Sequence, residues 1–178
     1  MAETEQLPVQ PAREGNPAAW DALFRRYQLP LYVYVFDLLR DEHTSLDVVQ
    51  ETFIAAIRHI GGLRDNAKFG SWLFSIAHQK CVQSWRKPKE ILLDEIPDSP
   101  DDLEDSPGEL LVRREDEAEF MNLLNQLPQP QRSVLLLHYI EDFSLEEISG
   151  ITATPLGTVK SRLHYARKLL RKLLEENK

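Results

Sequence analysis

The sequence predicts an all-α protein of two small helical domains, joined by an acidic, proline-rich linker, with a helix-turn-helix in the C-terminal domain. Three observations lead there. Apolar residues recur at helical spacing behind residues that cap helices. No segment sustains a two-residue alternation flanked by hairpin turns, so no strand is expected. One short stretch gathers prolines and acids at a density that no helix tolerates.

The N-terminal half justifies the first domain, residues 1–87. Asn16-Pro17 is a helix start, with a capping amide followed by proline at the first helical position. Trp20, Leu23, Phe24 and Tyr27 follow at helical spacing. Pro30 interrupts or kinks this run, and Leu31 to Leu39 continue it. Thr44 with Asp47 reads as a capping box. It opens a helix that offers Val48, Phe53, Ile54, Ile57 and Ile60 to a core and stops at Gly61-Gly62. A further helix fits Phe69 to Lys87 and ends at Pro88.

The formal charge of −8 belongs almost wholly to what comes next. Residues 1–87 carry ten Lys/Arg and ten Asp/Glu, and residues 117–178 carry eight and eight. Residues 88–116 carry three bases and eleven acids, with Pro88, Pro97, Pro100 and Pro107 among them. Like charges repel and prolines stiffen, so residues 88–108 read as a flexible acidic linker.

The second domain, residues 109–178, has four helical segments. The first runs from about Glu109 to Gln126 and the second from Pro130 to Ile140. Ser144 with Glu147 forms a capping box for the third. The fourth starts at Pro155 with Thr154 as its cap. A short helix, a tight connection and a longer helix make the helix-turn-helix. On a wheel of the last helix, Val159, Leu163, Ala166, Leu170, Leu173 and Leu174 form an apolar stripe. Lys160, His164, Arg167, Lys168 and Arg171 lie on the other side. From Pro155 to Lys172 there are six bases and no acid. A surface selected for solubility alone usually mixes signs, so this face suits a polyanion. Lys160 and Arg167 can neutralise phosphates, while Thr158, Ser161 and Arg162, near the helix N-terminus, can reach base edges.

Phe69 to Lys87 mixes large aromatics with polar donors and ends in a basic pair. Exposed bases of single-stranded DNA stack on rings, and its backbone draws cations. The plain alternative is that Trp72, Phe74 and Trp85 are core.

Several classes are excluded. No apolar run reaches the roughly 18 residues of a membrane span, and the acidic N-terminus is no secretory signal. The single cysteine, Cys81, rules out an internal disulfide. There is no phosphate-binding glycine loop, and His43, His59, His78, His138 and His164 lack metal-ligand spacing. A non-enzymatic cytoplasmic protein without metal or cofactor is expected.

Four pieces of the chain resemble the extracytoplasmic-function group of bacterial RNA polymerase sigma factors. They are Asp47-Val-Val-Gln-Glu-Thr-Phe53, Phe69 to Ala77, Leu127-Pro-Gln-Pro-Gln-Arg132 with the leucines after it, and Glu147-Ile148 through Gly157-Thr-Val-Lys-Ser-Arg-Leu-His164. The resemblance implies a protein that binds core RNA polymerase and directs promoter-specific initiation. Its expected partners are core polymerase, promoter DNA and an anti-sigma factor, with no membrane insertion. It implies polymerase docking through Asp47, Gln50, Glu51, Phe53 and Ile54. Recognition and melting of the minus-ten element fall to Lys68, Phe69, Ser71, Trp72, His78, Gln79, Lys80, Gln83 and Arg86. Reading of the minus-thirty-five element falls to Thr158, Lys160, Ser161, Arg162, His164, Tyr165 and Arg167. The sequence departs from the family at His78, often Arg, at Gln79, usually Asn, and at Gln83, often Asp. Ala153 stands where the family usually has Gly in the turn. The rival reading is a helix-turn-helix regulator that is not a polymerase subunit; its usual sensor, a larger α/β domain, has no counterpart here.

Overall fold

A computed structural model describes residues 7–86 and 117–176 of the chain. The described residues fall into two compact units, one holding residues 7–86 with Gly150–Ala153 and the other residues 117–149 and 154–176. All regular elements among them are helical.

In the first unit a short helix, α1 (Val9–Arg13), precedes α2 (Pro17–Leu39). The Asn16 side chain accepts hydrogen bonds from the N–H groups of Ala18 and Ala19, which satisfies two of the helix's orphan donors. Pro30 sits inside α2 without ending it. The helix stops at Arg40, whose φ of 57° is left-handed, and Asp41 at once caps α3 (Glu42–His59) by accepting from the Thr44 N–H. The expected Thr44–Asp47 capping box is therefore corrected. Thr44 already lies within the helix, because Asp41, three residues earlier, holds its amide. After α3 come two single turns, Ile60–Gly62 and Asn66–Lys68, and then α4 (Phe69–Arg86).

Helices α2, α3 and α4 pack on one another around Leu23, Leu31, Tyr34, Val35, Leu38, Phe53, Ala56, Phe69, Leu73, Phe74 and Ala77. The sequence placed Ile54 and Ile57 in this core, and the structure corrects that. The buried face of α3 is Val48, Val49, Thr52, Phe53 and Ala56, whereas Ile54 and Ile57 are 41% and 53% exposed. Rows four apart set which face is inside, and Ile57 lies about 100° from Ala56. Cys81 is buried, and desolvation pushes its thiol up to about 12, so it fills space as a neutral group.

Helix α1 had no sequence assignment. Val9 and Ala12 are buried at i, i+3 spacing, and the Trp20 indole N–H donates to the Ala12 carbonyl at 2.9 Å. Arg13 donates to the Leu63 carbonyl and, at 2.9 Å, to Asn66 Oδ1, tying α1 to the turns before α4.

Residues 117–176 form α5 (Glu117–Leu124), α6 (Gln129–Tyr139), α7 (Leu145–Thr152) and α8 (Leu156–Glu176). Leu123, Leu124, Leu127, Val134 to Leu137, Ile148, Val159, Leu163, Ala166 and Leu170 are buried. Leu173 and Leu174, expected on the same stripe, are half-buried. The Ser144–Glu147 capping box forms as expected: Glu147 N–H donates to Ser144 Oγ at 3.2 Å and Ser144 N–H to Glu147 Oε2 at 2.9 Å. Helix α8 begins at Leu156, one residue later than expected, with Val159 N–H donating to the Pro155 carbonyl. The expected linker, residues 88–108, and residues 109–116 of the expected first helix lie outside the described residues, as does Lys87.

Candidate polymerase and nucleic-acid interfaces

The outer side of α3 is the first candidate surface. Leu46, Gln50, Ile54 and Ile57 follow at spacings of four, four and three, so they line one stripe. All four are exposed, Leu46 at 53%. Asp47 and Glu51 flank the stripe and are exposed too, with His43 Nδ1 lying 3.2 Å from an Asp47 oxygen. Exposed apolar side chains in a row on one helix need a covering partner more than scattered ones do. Of the residues expected to dock polymerase, Asp47, Gln50, Glu51 and Ile54 share this surface. Phe53 does not. It is buried, its ring 4.8 Å from that of Phe24, so its part is to support the helix from beneath. Leu46 and Ile57 belong to the stripe and were not among the residues expected to dock polymerase, Ile57 having been assigned to the core; their spacing from Gln50 and Ile54 was the available signal.

The second surface is α4 and the turn before it. Asp65 caps this turn by accepting from the Ala67 N–H, and Lys68 stands exposed at its end. Phe69 is fully buried among rings: Tyr27 at 5.5 Å, Trp72 at 5.8 Å and Trp20 at 6.4 Å. Gly70 makes room for this cluster, because a Cβ there would meet the Tyr27 hydroxyl at 3.1 Å. His78 is also buried, with Nδ1 2.8 Å from the Tyr34 hydroxyl. Both residues were expected to meet DNA. Both are buried here, Phe69 fully and His78 to 6% exposure, so neither is part of the accessible surface of α4. Phe69 anchors the start of α4, and His78 joins α4 to α2.

The remaining α4 positions are accessible. Gln79 and Gln83 are exposed, and Ser71, Trp72 and Lys80 are half-exposed. Lys80 Nζ forms an ion pair with Glu51 Oε2 at 3.0 Å, which links this surface to the α3 surface. Arg86 is the last residue of α4.

The third surface is α8. Its entry turn is held by the Ser149 hydroxyl, which donates to the Thr154 carbonyl at 2.7 Å. Ala153 adopts a left-handed φ of 51°, a conformation that costs an L-residue about 1–2 kcal/mol and that glycine adopts freely. Lys160, His164 and Lys168 are exposed; Thr158, Ser161, Arg162, Tyr165 and Arg167 are half-buried. The Ser161 hydroxyl donates back to the Gly157 carbonyl at 3.0 Å. Burial lowers the pKa of Arg162 from its usual value, a desolvation that a partner anion would offset. Arg167 is not a free cation: its Nε–H donates to the Tyr139 hydroxyl at 2.6 Å. Among the described residues no group of ligands could hold a metal ion, and no helix is long and apolar enough to cross a membrane.

Comparison with known proteins gives these surfaces a context. Residues 23–90 match the family described as Sigma-70 region 2, and residues 117–170 match Sigma-70, region 4. The RNA polymerase sigma-H factor of Pseudomonas aeruginosa is 31% identical, the match covering 97% of this chain and 95% of that one. The ECF RNA polymerase sigma factor SigW of Bacillus subtilis is also 31% identical, covering 94% and 95%. The ECF RNA polymerase sigma-E factor of Haemophilus influenzae is 32% identical, covering 96% of each. In fold, the chain is similar to CnrH, solved in complex with the cytosolic domain of CnrY, with a TM-score of 0.71 at 23% identity. That match covers 98% of this chain and 99% of the other.

Proposed function

The chain belongs to the sigma-70 family, among the ECF RNA polymerase sigma factors, and from that membership we propose how its surfaces divide the work of directing transcription initiation. The α3 stripe, with Gln50 and Glu51 beside Leu46, Ile54 and Ile57, docks on core RNA polymerase. The accessible residues of the α4 surface, Lys68, Ser71, Trp72, Gln79, Lys80 and Gln83, engage and open the minus-ten element, with Arg86 continuing it. The α8 face, Thr158, Lys160, Ser161, Arg162, His164, Tyr165 and Arg167, reads the minus-thirty-five element. The observation that carries the DNA reading is the α8 face itself: an apolar side buried in its unit, and a stretch from Pro155 to Lys172 with six bases and no acid, five of them opposite that side and Arg162 at its edge.

The proposed limits are residues 1–87 for the polymerase and minus-ten domain, 88–108 for the linker and 109–178 for the helix-turn-helix domain. The protein acts in the cytoplasm, where polymerase and promoter are, and performs no chemistry of its own. An anti-sigma factor covering the α3 stripe is the proposed regulatory partner, because an exposed apolar row favours any protein that removes it from water. Run-off transcription with purified core polymerase on a promoter library tests the assignment. Specific transcripts that require this chain are expected; DNA binding without polymerase-dependent initiation would favour an ordinary regulator.

A further inference from the structure

One cation of the α8 face is set in place by another helix. Arg167 Nε–H donates to the Tyr139 hydroxyl oxygen at 2.6 Å, and the guanidinium carbon lies 5.4 Å from the centre of the Tyr139 ring. Tyr139 is the last residue of α6, the helix against which α8 packs. Lys160 and Lys168, also on the polar side of α8, are exposed and take no such hold from another helix among the described residues. Long cationic side chains lose rotamer freedom when they grip a target, and a side chain already fixed loses less.

The geometry of the bond matters as much as its presence. A guanidinium carries five N–H donors in one plane. The contact with Tyr139 takes the Nε donor, which blocks a side-on approach of an anion across Nε and one terminal nitrogen. The four donors on the two terminal nitrogens stay available, a fork suited to two oxygens of one phosphate. Arg167 also lies seven residues after Lys160, about two turns along the same side of the helix, so both can follow one strand.

We propose that Tyr139 is a positioning residue for promoter binding, which holds Arg167 so that its two terminal nitrogens meet a backbone phosphate end-on. The inference rests on α8 being the DNA-facing helix. It gives a role to a tyrosine that lies outside α8 and that helix spacing alone does not connect to DNA.

The test is salt-dependent promoter binding by holoenzyme made with the full chain. Arg167→Ala should weaken binding and lower the slope of log affinity against log salt by about one, the signature of a lost phosphate contact. Tyr139→Phe keeps the ring and removes the hydroxyl. It should weaken binding about two- to ten-fold, the cost of ordering one long side chain on binding, and leave the slope unchanged because the charge remains. The double variant should bind like Arg167→Ala alone. Thermal melting checks the fold, and Arg167→Lys is the second probe: it keeps the charge but loses both the Tyr139 hold and the planar fork, so it should keep the slope and bind more weakly than Tyr139→Phe, and tighter binding than Tyr139→Phe overturns the proposal. Wild-type affinity in Tyr139→Phe beside a weakened Arg167→Ala overturns the positioning role, as do additive losses in the double variant. If Arg167→Ala itself changes neither affinity nor slope, the DNA reading of this part of α8 fails, and the positioning role with it.

Discussion

Replacing Ile54 and Ile57 together by alanine should separate docking from folding. Each substitution removes three side-chain carbons, each worth about 0.8 kcal/mol when fully buried. Ile54 is 41% exposed and Ile57 53% exposed, so only that share of each remains for a partner to cover. Complete cover then stabilises the complex by up to about 2.3 kcal/mol through these carbons, or roughly forty-fold in affinity. Cover of half the exposed area leaves about six-fold. Alanine keeps helix propensity high, so α3 itself should persist. The assay is equilibrium binding of labelled full-length protein to purified core polymerase, with circular dichroism and thermal melting of the same samples. A loss of about six- to forty-fold with helicity retained is expected. Affinity within two-fold of wild type in a folded variant would falsify the docking role of this face, because even half cover of the exposed carbons predicts a loss of about six-fold.

Other perturbations follow from single contacts. Lys160→Ala should weaken holoenzyme binding to all promoters alike and lower its salt slope by about one, whereas Arg162→Ala should cost about 1–3 kcal/mol and relax preference at one position; equal loss on every sequence would make Arg162 a phosphate contact only. Ala153→Gly should raise the melting temperature by the equivalent of about 0.5–1 kcal/mol, since relief of the left-handed strain outweighs glycine's added freedom when unfolded; a lower melting temperature refutes this. Burial raises the carboxyl pKa of Glu141 to about 7 from 4.5, so its stabilising contribution is present below about 4.5 and is lost as pH rises through 7. Glu141→Gln should therefore gain stability relative to wild type at pH 8 and not at pH 4, and an equal change at both sinks the idea. Glu51 and Lys80 pair across α3 and α4, and a double-mutant cycle on stability should give a coupling of about 0.2–1 kcal/mol that shrinks with salt; a coupling near zero at low salt would show that the pair is not held in solution.

How much of this was legible in the sequence depended on whether a residue's role was local. Caps and helical periods are local, so the Asn16 cap, the Ser144–Glu147 box, and the ends of α4 and α6 lay within a residue or so of their expected places. The Thr44–Asp47 box was misplaced because the stretch Asp41 to Asp47 offers two overlapping caps. What decides between them is Arg40, whose left-handed turn ends α2 and leaves Asp41 as the first free side chain. Helix α1 was missed because five residues show too short a period to stand out. It is held by Arg13 reaching residues fifty places away, which no local pattern reveals.

The sites divide in the same way. Helical spacing placed Lys160 on an open face, and the family resemblance pointed to Gln50 and Glu51, which are exposed as polar residues on their own helix. Whether an aromatic or a histidine lies inside depends on what crosses it. Phe69 is covered by Trp20, Tyr27 and Trp72, and His78 meets Tyr34 from α2, so two residues that looked suited to DNA serve as its foundations. The same dependence runs the other way for Ile54 and Ile57, apolar residues that the sequence sends to a core and the packing of α2 and α4 leaves outside. In this chain the apolar face of α3 exceeds what its own unit can cover. For a protein that works as one subunit of a larger machine, that excess supports the proposed docking face better than any charged residue does, since charge on a surface has solubility as a sufficient cause and an exposed row of leucine and isoleucine does not.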